Sequence, residues 1–203
     1  MSKTNTTSVL LQNLRRVFKK VISEFSRLKK LEVDCQRLVE SLANLLSQRQ
    51  AVLKVGQDGL AWSKMEFPDL QARLLVKISA EVDVKVDLLK ELILPLKDHH
   101  DHVSRARTDI LRLLQKHGRE LNEEVMCQGS PTVPPMEVML GWVDNLEKEL
   151  RELYYCRLHY LECILEPELL PDSLTVLWNQ NADLYDILQD CEEQTRFFLE
   201  EAG

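Results

Sequence analysis

The sequence predicts an all-α protein in which long antiparallel helices pack as a coiled-coil-like bundle. Apolar residues recur at spacings of three and four along most of the chain. Six glycines and seven prolines in 203 residues are too few for sandwiches or barrels, which need many tight turns. A 203-residue chain can form one domain with a substantial core or two small helical subdomains.

The first element runs from about Ser8 to Val55. Leu14, Phe18, Val21, Phe25 and Leu28 step by four and three, and Cys35, Val39, Leu42 and Leu46 continue the row. Only Glu32 and Arg49 interrupt it. With no proline or glycine before Gly56, one continuous helix of roughly 70 Å is expected, capped by Thr7 or Ser8 and closed by Gly56. So long a helix buries a seam against partner helices. Residues 56–67 read as a loop. Pro68 suits a first helical position and Asp69 a first turn, so a second helix follows to Pro95. Val82 to Val86 alternates with period two, but Leu74, Ile78, Val82, Leu89 and Leu92 fit a helical face and a lone strand is not viable. Pro95 is expected to kink or restart this helix, which then continues through Leu121.

Residues 126–135, with three prolines and a glycine, read as a hinge. A third helix runs from Pro135 to Leu165 with two apolar stripes. One is Met139, Trp142, Leu146, Leu153 and Tyr160; the other is Val143, Leu150, Tyr154, Leu158, Leu161 and Leu165. A helix apolar over most of its girth is a central one. Asp172 is expected to cap a single last helix carrying Leu174, Trp178, Asn181, Tyr185, Leu188, Cys191 and Phe198. The domain reading is then 1–125, a long-helix hairpin with a kinked second helix; 126–135, the hinge; and 136–203, a C-terminal helical hairpin. One stripe of the third helix packs on Leu174, Trp178 and Leu188. Its other stripe meets the N-terminal helices or a partner, unless both stripes are internal core; Trp142 is the residue on which the two readings divide.

Composition excludes several functions. The 44% hydrophobic and 29% charged content is that of a globular chain. A net charge of −7 argues against broad affinity for nucleic acid. The start, MSKTNTTSVLLQ, lacks a signal peptide's apolar region, and no apolar run reaches a membrane span. The five cysteines form no CxxC pair, so a reducing compartment and small buried thiols are expected. Phosphate-binding, nucleophile-elbow and HExxH motifs are absent from the sequence, so neither a cofactor nor a catalytic residue is assigned. Asp98 and His102 in the Asp98-His-His-Asp-His102 segment could share a helical face and a metal. Two ligands are not a site, and the segment reads as a solvated polar turn after Pro95. Cys156, His159 and Cys163 share another face, read as buried thiols with a hydrogen-bonded imidazole.

Charge is unevenly distributed. Between Arg15 and Lys30 seven basic residues face one acid, Glu24; between Asp183 and Glu201 seven acids face Arg196. These are solvated faces, or surfaces pairing with opposite charge, including RNA or DNA phosphates at Arg15, Arg16, Lys19, Lys20, Lys29 and Lys30.

Four stretches, in order, resemble the AIRIM family of small ribosome maturation factors that accompany AFG-type AAA ATPases. They are Asp34-Cys-Gln-Arg-Leu with Ser41-Leu-Ala-Asn-Leu45; Phe67-Pro-Asp-Leu-Gln-Ala-Arg-Leu74; Met139-Leu-Gly-Trp-Val-Asp-Asn-Leu-Glu147; and Phe197-Phe-Leu-Glu-Glu201. No one motif is diagnostic; their collinearity over nearly the whole chain carries the resemblance. The chain departs from the family in its N-terminal segment and around Tyr155–Tyr160. The resemblance implies a non-catalytic, all-helical subunit that pairs with a small helical protein, the cyclin-dependent-kinase-interacting protein CINP. The pair would sit on a SPATA-type AAA ATPase that strips factors from cytoplasmic pre-60S particles, with a further role in clearing replication forks. Cytoplasm and nucleus are the expected locations, with no membrane partner. Candidate partner-binding residues are Phe67, Pro68 and Leu70, with Trp142, Leu146, Leu150 and Leu153 on the central helix.

Overall fold

The computed structural model describes residues 3–58, 69–117, 126–164, 171–179 and 183–200. Among the described residues the fold is carried by α1 (Lys3–Asp58), α2 (Leu70–His117), α3 (Met136–Cys163), the short α4 (Pro171–Trp178) and α5 (Asp183–Glu200). No strand occurs among the described residues, and none of the helices is long and apolar enough to cross a membrane.

The helix boundaries correct several expectations. α1 starts before the Thr7 and Ser8 caps and passes through Gly56 to Asp58. One glycine costs about 1 kcal/mol in a helix, too little to stop so long a one. α2 does not restart at Pro95. The proline faces solvent while Ile93 and Leu96 beside it are buried, so water can take up the carbonyl that the ring leaves without an amide. The period-two stretch is helical: Val82 and Val86 are buried, and Val84 between them is exposed. The expected single last helix is two, and Pro171 rather than Asp172 opens the first of them. The helix end expected at Leu121, the loop around Trp62, and Leu165 and Asn181 lie outside the described residues.

The chain packs as two compact units. The first combines Met1–Lys29, Pro95–Tyr155 and Asn181–Gly203; the second combines Lys30–Leu94 and Cys156–Gln180. Within the first, Lys20 and Glu24 of α1 meet His102 and His99 of α2, while His100 and Arg107 of α2 meet Glu147 and Asp144 of α3. As one number rises its partner falls, so both helix pairs run antiparallel. The core of this unit holds Leu10, Leu14, Phe18, Val21 and Leu28 with Leu96, Val103 and Ile110. Met139, Val143, Leu146, Leu150 and Leu153 of α3 and Leu184, Leu188, Cys191 and Phe198 of α5 complete it.

The second unit buries Cys35, Val39, Leu42 and Leu46 with Ile78, Val82, Val86, Leu89 and Ile93, and with Tyr160, Leu161, Leu174 and Trp178. Leu74, expected on the buried face of α2, is exposed, and Leu92 is half-buried. Across α3, buried positions 136, 139, 143, 146, 150, 153, 157, 160 and 164 alternate steps of three and four. The two expected stripes are therefore one, flanked by half-buried Tyr154 and Leu158. Leu174 and Trp178 belong to the second unit and Leu188 to the first.

In the Pro-rich segment, Gly129 is required by close approach: a Cβ there would stand 2.8 Å from Pro135 Cδ. Ser130 closes the turn, its N–H donating to the Val133 carbonyl at 2.8 Å and its hydroxyl accepting from the Val133 N–H at 3.0 Å.

Candidate functional site

The histidine segment is not a solvated turn. It continues α2, and helical geometry sends successive residues in different directions. His99 donates through Nδ1–H to Glu24 Oε2 at 2.6 Å. His100 faces Asp101 Oδ1 at 3.1 Å through Nδ1 and Glu147 Oε1 at 3.3 Å through Nε2. Glu147 is nearly buried on α3 and also meets Arg151 at 3.6 Å. Lys97 donates to Asp101 and holds that carboxyl below the usual range. The segment is thus a polar seam tying α2 to α1 and α3. Among the described residues no group of three or more His, Cys, Asp or Glu side chains is placed to hold a metal.

His102 differs from its neighbours. Lys20 Nζ stands 3.3 Å from its Nδ1; an ammonium can only donate, so this imidazole nitrogen accepts. Burial, then the charge of Lys20, pushes the His102 pKa down. Glu24 opposes this, while Arg105 and His99 add to it. The other basic residues of α1 have different fates. Arg15 is spent inside the first unit: its Nε–H donates to the Phe198 carbonyl at 2.9 Å, and its guanidinium lies 4.5 Å from the centre of the Phe198 ring. Arg16, Lys19, Lys20, Lys29 and Lys30 are exposed.

Of the candidate partner residues, Leu146, Leu150 and Leu153 fill the core of the first unit instead of a surface. Their spacing of four and three is that of the buried row itself. Trp142 sits at the edge of that row, half-buried, with its ring edge-on to Phe18 at 6.0 Å and 79°. Beside it the outer face of α3 carries exposed Val138 and Gly141. A Cβ added at Gly141 would meet nothing within 4 Å. Leu70 is exposed at the start of α2; one turn on, Leu74 lines an open groove of about 420 Å³ with Leu45, Val52, Ile78, Lys77 and Glu81. Phe67 and Pro68 lie outside the described residues.

The second unit holds a buried ion pair. Arg157 occupies a core position of the α3 row and Glu32 the matching gap in the α1 row. Arg157 Nη2 reaches Glu32 Oε1 at 2.5 Å, Nη1–H donates to the Trp178 carbonyl at 2.7 Å, and the guanidinium stacks 3.8 Å from the Trp178 ring centre. Tyr160 packs edge-on against Trp178 at 5.0 Å and donates its hydroxyl proton to the Leu174 carbonyl at 2.8 Å. Glu32 Oε2, Gln36 Oε1, Arg157 Nε and Trp178 Nε1 have no hydrogen-bond partner among the described residues.

The family model described as ribosome biogenesis protein C1orf109-like matches residues 8–194. This chain belongs to that family. Three relatives are each named AFG2-interacting ribosome maturation factor. The Homo sapiens protein is 29% identical over 171 residues, covering 83% of this chain and 84% of its own length. The Mus musculus protein is 26% identical over 198 residues, covering 96% and 91%. The Danio rerio protein is 29% identical over 167 residues, covering 82% and 79%.

In this C1orf109-like chain, three of the four stretches that carry the resemblance each give residues to the core, while the described part of the 67–74 stretch gives none. Cys35, Leu42, Met139, Val143, Leu146 and Phe198 are all buried, and Glu147 receives His100. The expectation of buried thiols around His159 is overturned. Cys156 and His159 are exposed and Cys163 is half-buried, because the buried α3 row passes through Arg157 and Tyr160. Burial, with the Glu32 charge adding to it, pushes the Cys35 thiol up to about 12. Burial likewise pushes Cys191 up to about 12. A thiolate reagent at about pH 8 should therefore label Cys127 and Cys156 first. Cys35 and Cys191 should react only on unfolding; mass spectrometry finding fast Cys35 labelling would contradict this burial.

Proposed function

We propose that this chain is a non-catalytic adaptor that binds an AFG2-type AAA ATPase and acts in ribosome maturation. The name shared by its relatives supports the ATPase partner and the process. The finer parts are the pre-60S particle as client, CINP as heterodimer partner, protein clearance at replication forks, and action in both cytoplasm and nucleus. These rest on the resemblance of the motifs.

The observation that carries the adaptor reading is Gly141. Glycine inside a helix costs about 1 kcal/mol relative to alanine, and nothing in the fold requires it here, since the space beside it is open. Its neighbours on the outer face, Val138 and Trp142, are apolar and at least partly exposed. A small residue flanked by apolar ones lets a partner's backbone come close. Substituting Gly141→Gln puts a good helix former there. The isolated chain should gain about 0.5–1 kcal/mol in denaturant titration while losing co-purification with the ATPase. Undiminished ATPase capture by this variant would remove α3's outer face from the interface.

A further inference from the structure

We infer that Arg16 and Lys20 of α1, with His102 and Arg105 of α2, form a binding site for the phosphate backbone of single-stranded RNA. The assignment deepens the ribosome-maturation reading and rests on it. In the antiparallel register of the first unit, Lys20 touches His102 at 3.3 Å. Arg16 is one turn before Lys20, and Arg105 is one turn after His102, so the two guanidinium-bearing positions stand level on neighbouring helices. Four cationic or protonatable groups therefore share one face.

Several cations nearby are spent on carboxylates: Lys97 with Asp101, Arg107 with Asp144 and Arg112 with Asp109 on α2, and Arg151 with Glu147 on α3. Among the described residues, Arg16, Lys20 and Arg105 have no ion pair with a carboxylate. Arg105 gives its Nε–H to the Asp101 carbonyl at 2.9 Å, which fixes the guanidinium stem and leaves the fork outward. The acid that acts on His102, Glu24, is engaged by His99 at 2.6 Å, and Asp101 and Asp109, on the same helix as Arg105, are engaged by Lys97 and Arg112. The sequence-level basic run changes accordingly. Arg15 is consumed by Phe198, and α2, which the run did not include, supplies half the site.

Phosphate suits this face better than an acidic peptide. Peptide docking draws its affinity from apolar anchors seated in desolvated pockets, and the hydrophobic neighbour on this stretch of α2, Val103, is buried. Exposed point charges without an apolar floor are the usual furniture of phosphate contacts. His102 adds a proton link. Burial, then the charge of Lys20, lowers its pKa, with Arg105 and His99 adding to this and Glu24 opposing it. A phosphate that neutralises those cations raises its pKa, so RNA binding takes up a proton and strengthens as pH falls.

The test uses the full chain with fluorescent oligouridylate, and oligoglutamate as the rival polyanion. Contact with about three phosphates gives a slope of log K against log salt of about −2. Arg16→Gln/Lys20→Gln/Arg105→Gln should weaken binding about tenfold or more at low salt and flatten that slope. Arg16→Lys/Arg105→Lys should retain most of it. The control Arg73→Gln/Lys77→Gln/Lys90→Gln removes three exposed charges from the second unit and should change binding little. Binding should tighten as pH falls through the imidazole range, from about 7.5 to 5.5, and His102→Gln should abolish that dependence. Failure of RNA to bind, equal loss in the control variant, or preference for oligoglutamate overturns the assignment. ATPase capture is measured on the same samples. A wild-type chain that takes the ATPase but no RNA defeats this site alone, whereas one that takes RNA but no ATPase defeats the adaptor reading alone.

Discussion

Replacing Glu32 with alanine is expected to destabilise the folded chain by about 3–5 kcal/mol, because it strands a buried guanidinium. The Arg157 side chain is 3% exposed and Glu32 20%, and that asymmetry sets the order of effects. Arg157 without Glu32 keeps only the Trp178 carbonyl and ring as electrostatic partners. Glu32 without Arg157 can turn its carboxylate to water, so Arg157→Met should cost less, about 1–3 kcal/mol. The double variant Glu32→Leu/Arg157→Met should recover most of the loss, since an apolar pair of similar volume replaces a half-satisfied polar network. Denaturant titration of the four proteins closes the cycle. Additive single effects would show that the two groups do not act as a pair.

Glu32 also shows how far the sequence can be read. The three-and-four spacing located the buried row of α1 from Leu14 to Leu46, whereas the two stripes read on α3 merge into one buried row that leaves Trp142, Tyr154 and Leu158 half-buried. Glu32 appeared as a gap in one row, and Arg157 fills a core slot of the other, between Leu153 and Tyr160. What spacing along one helix cannot convey is which distant residue fills the gap, for that depends on how α1 and α3 meet. The same limit hid the pairing of His99 with Glu24 and of His100 with Glu147. A run of Asp and His after a proline looks like a polar turn when its partners are unseen. Only as part of a continuous helix does it become a seam between neighbours. Charge patterning misled in the opposite sense at Arg15: a long cation near the start of a basic run looks solvated, yet its guanidinium lies on the buried Phe198 ring. The sequence reading divides the chain at residues 126–135. The compact units divide it within α1 at 29/30, within α2 at 94/95 and within α3 at 155/156, as well as at 180/181; of the three divisions inside helices, the one at Pro95 is marked by a proline, and each helix runs on through its division.

Phe198→Ala is expected to cost about 3–5 kcal/mol, while Phe197→Ala next to it should stay within about 0.5 kcal/mol. The two residues are neighbours in sequence and opposites in burial, 1% and 59% exposed. The row Leu184, Leu188, Cys191, Thr195 and Phe198 steps by four and three, which places Phe198 at its end and Phe197 outside it. Even the polar member of that row is accommodated: the buried Thr195 hydroxyl donates to the Cys191 carbonyl. Truncating Phe198 removes the ring on which the Arg15 guanidinium lies, so the loss includes a partly desolvated cation left without its face. For a chain of this size the change should lower the melting temperature by roughly 6–20 °C. Equal drops for Phe197→Ala and Phe198→Ala would mean that α5 does not present this face to the core. Arg15→Gln extends the argument to the basic helix. Because Arg15 is bound to Phe198 rather than to solvent, this variant should lower the melting temperature and leave RNA affinity nearly unchanged. Arg16→Gln, one residue on, should do the reverse.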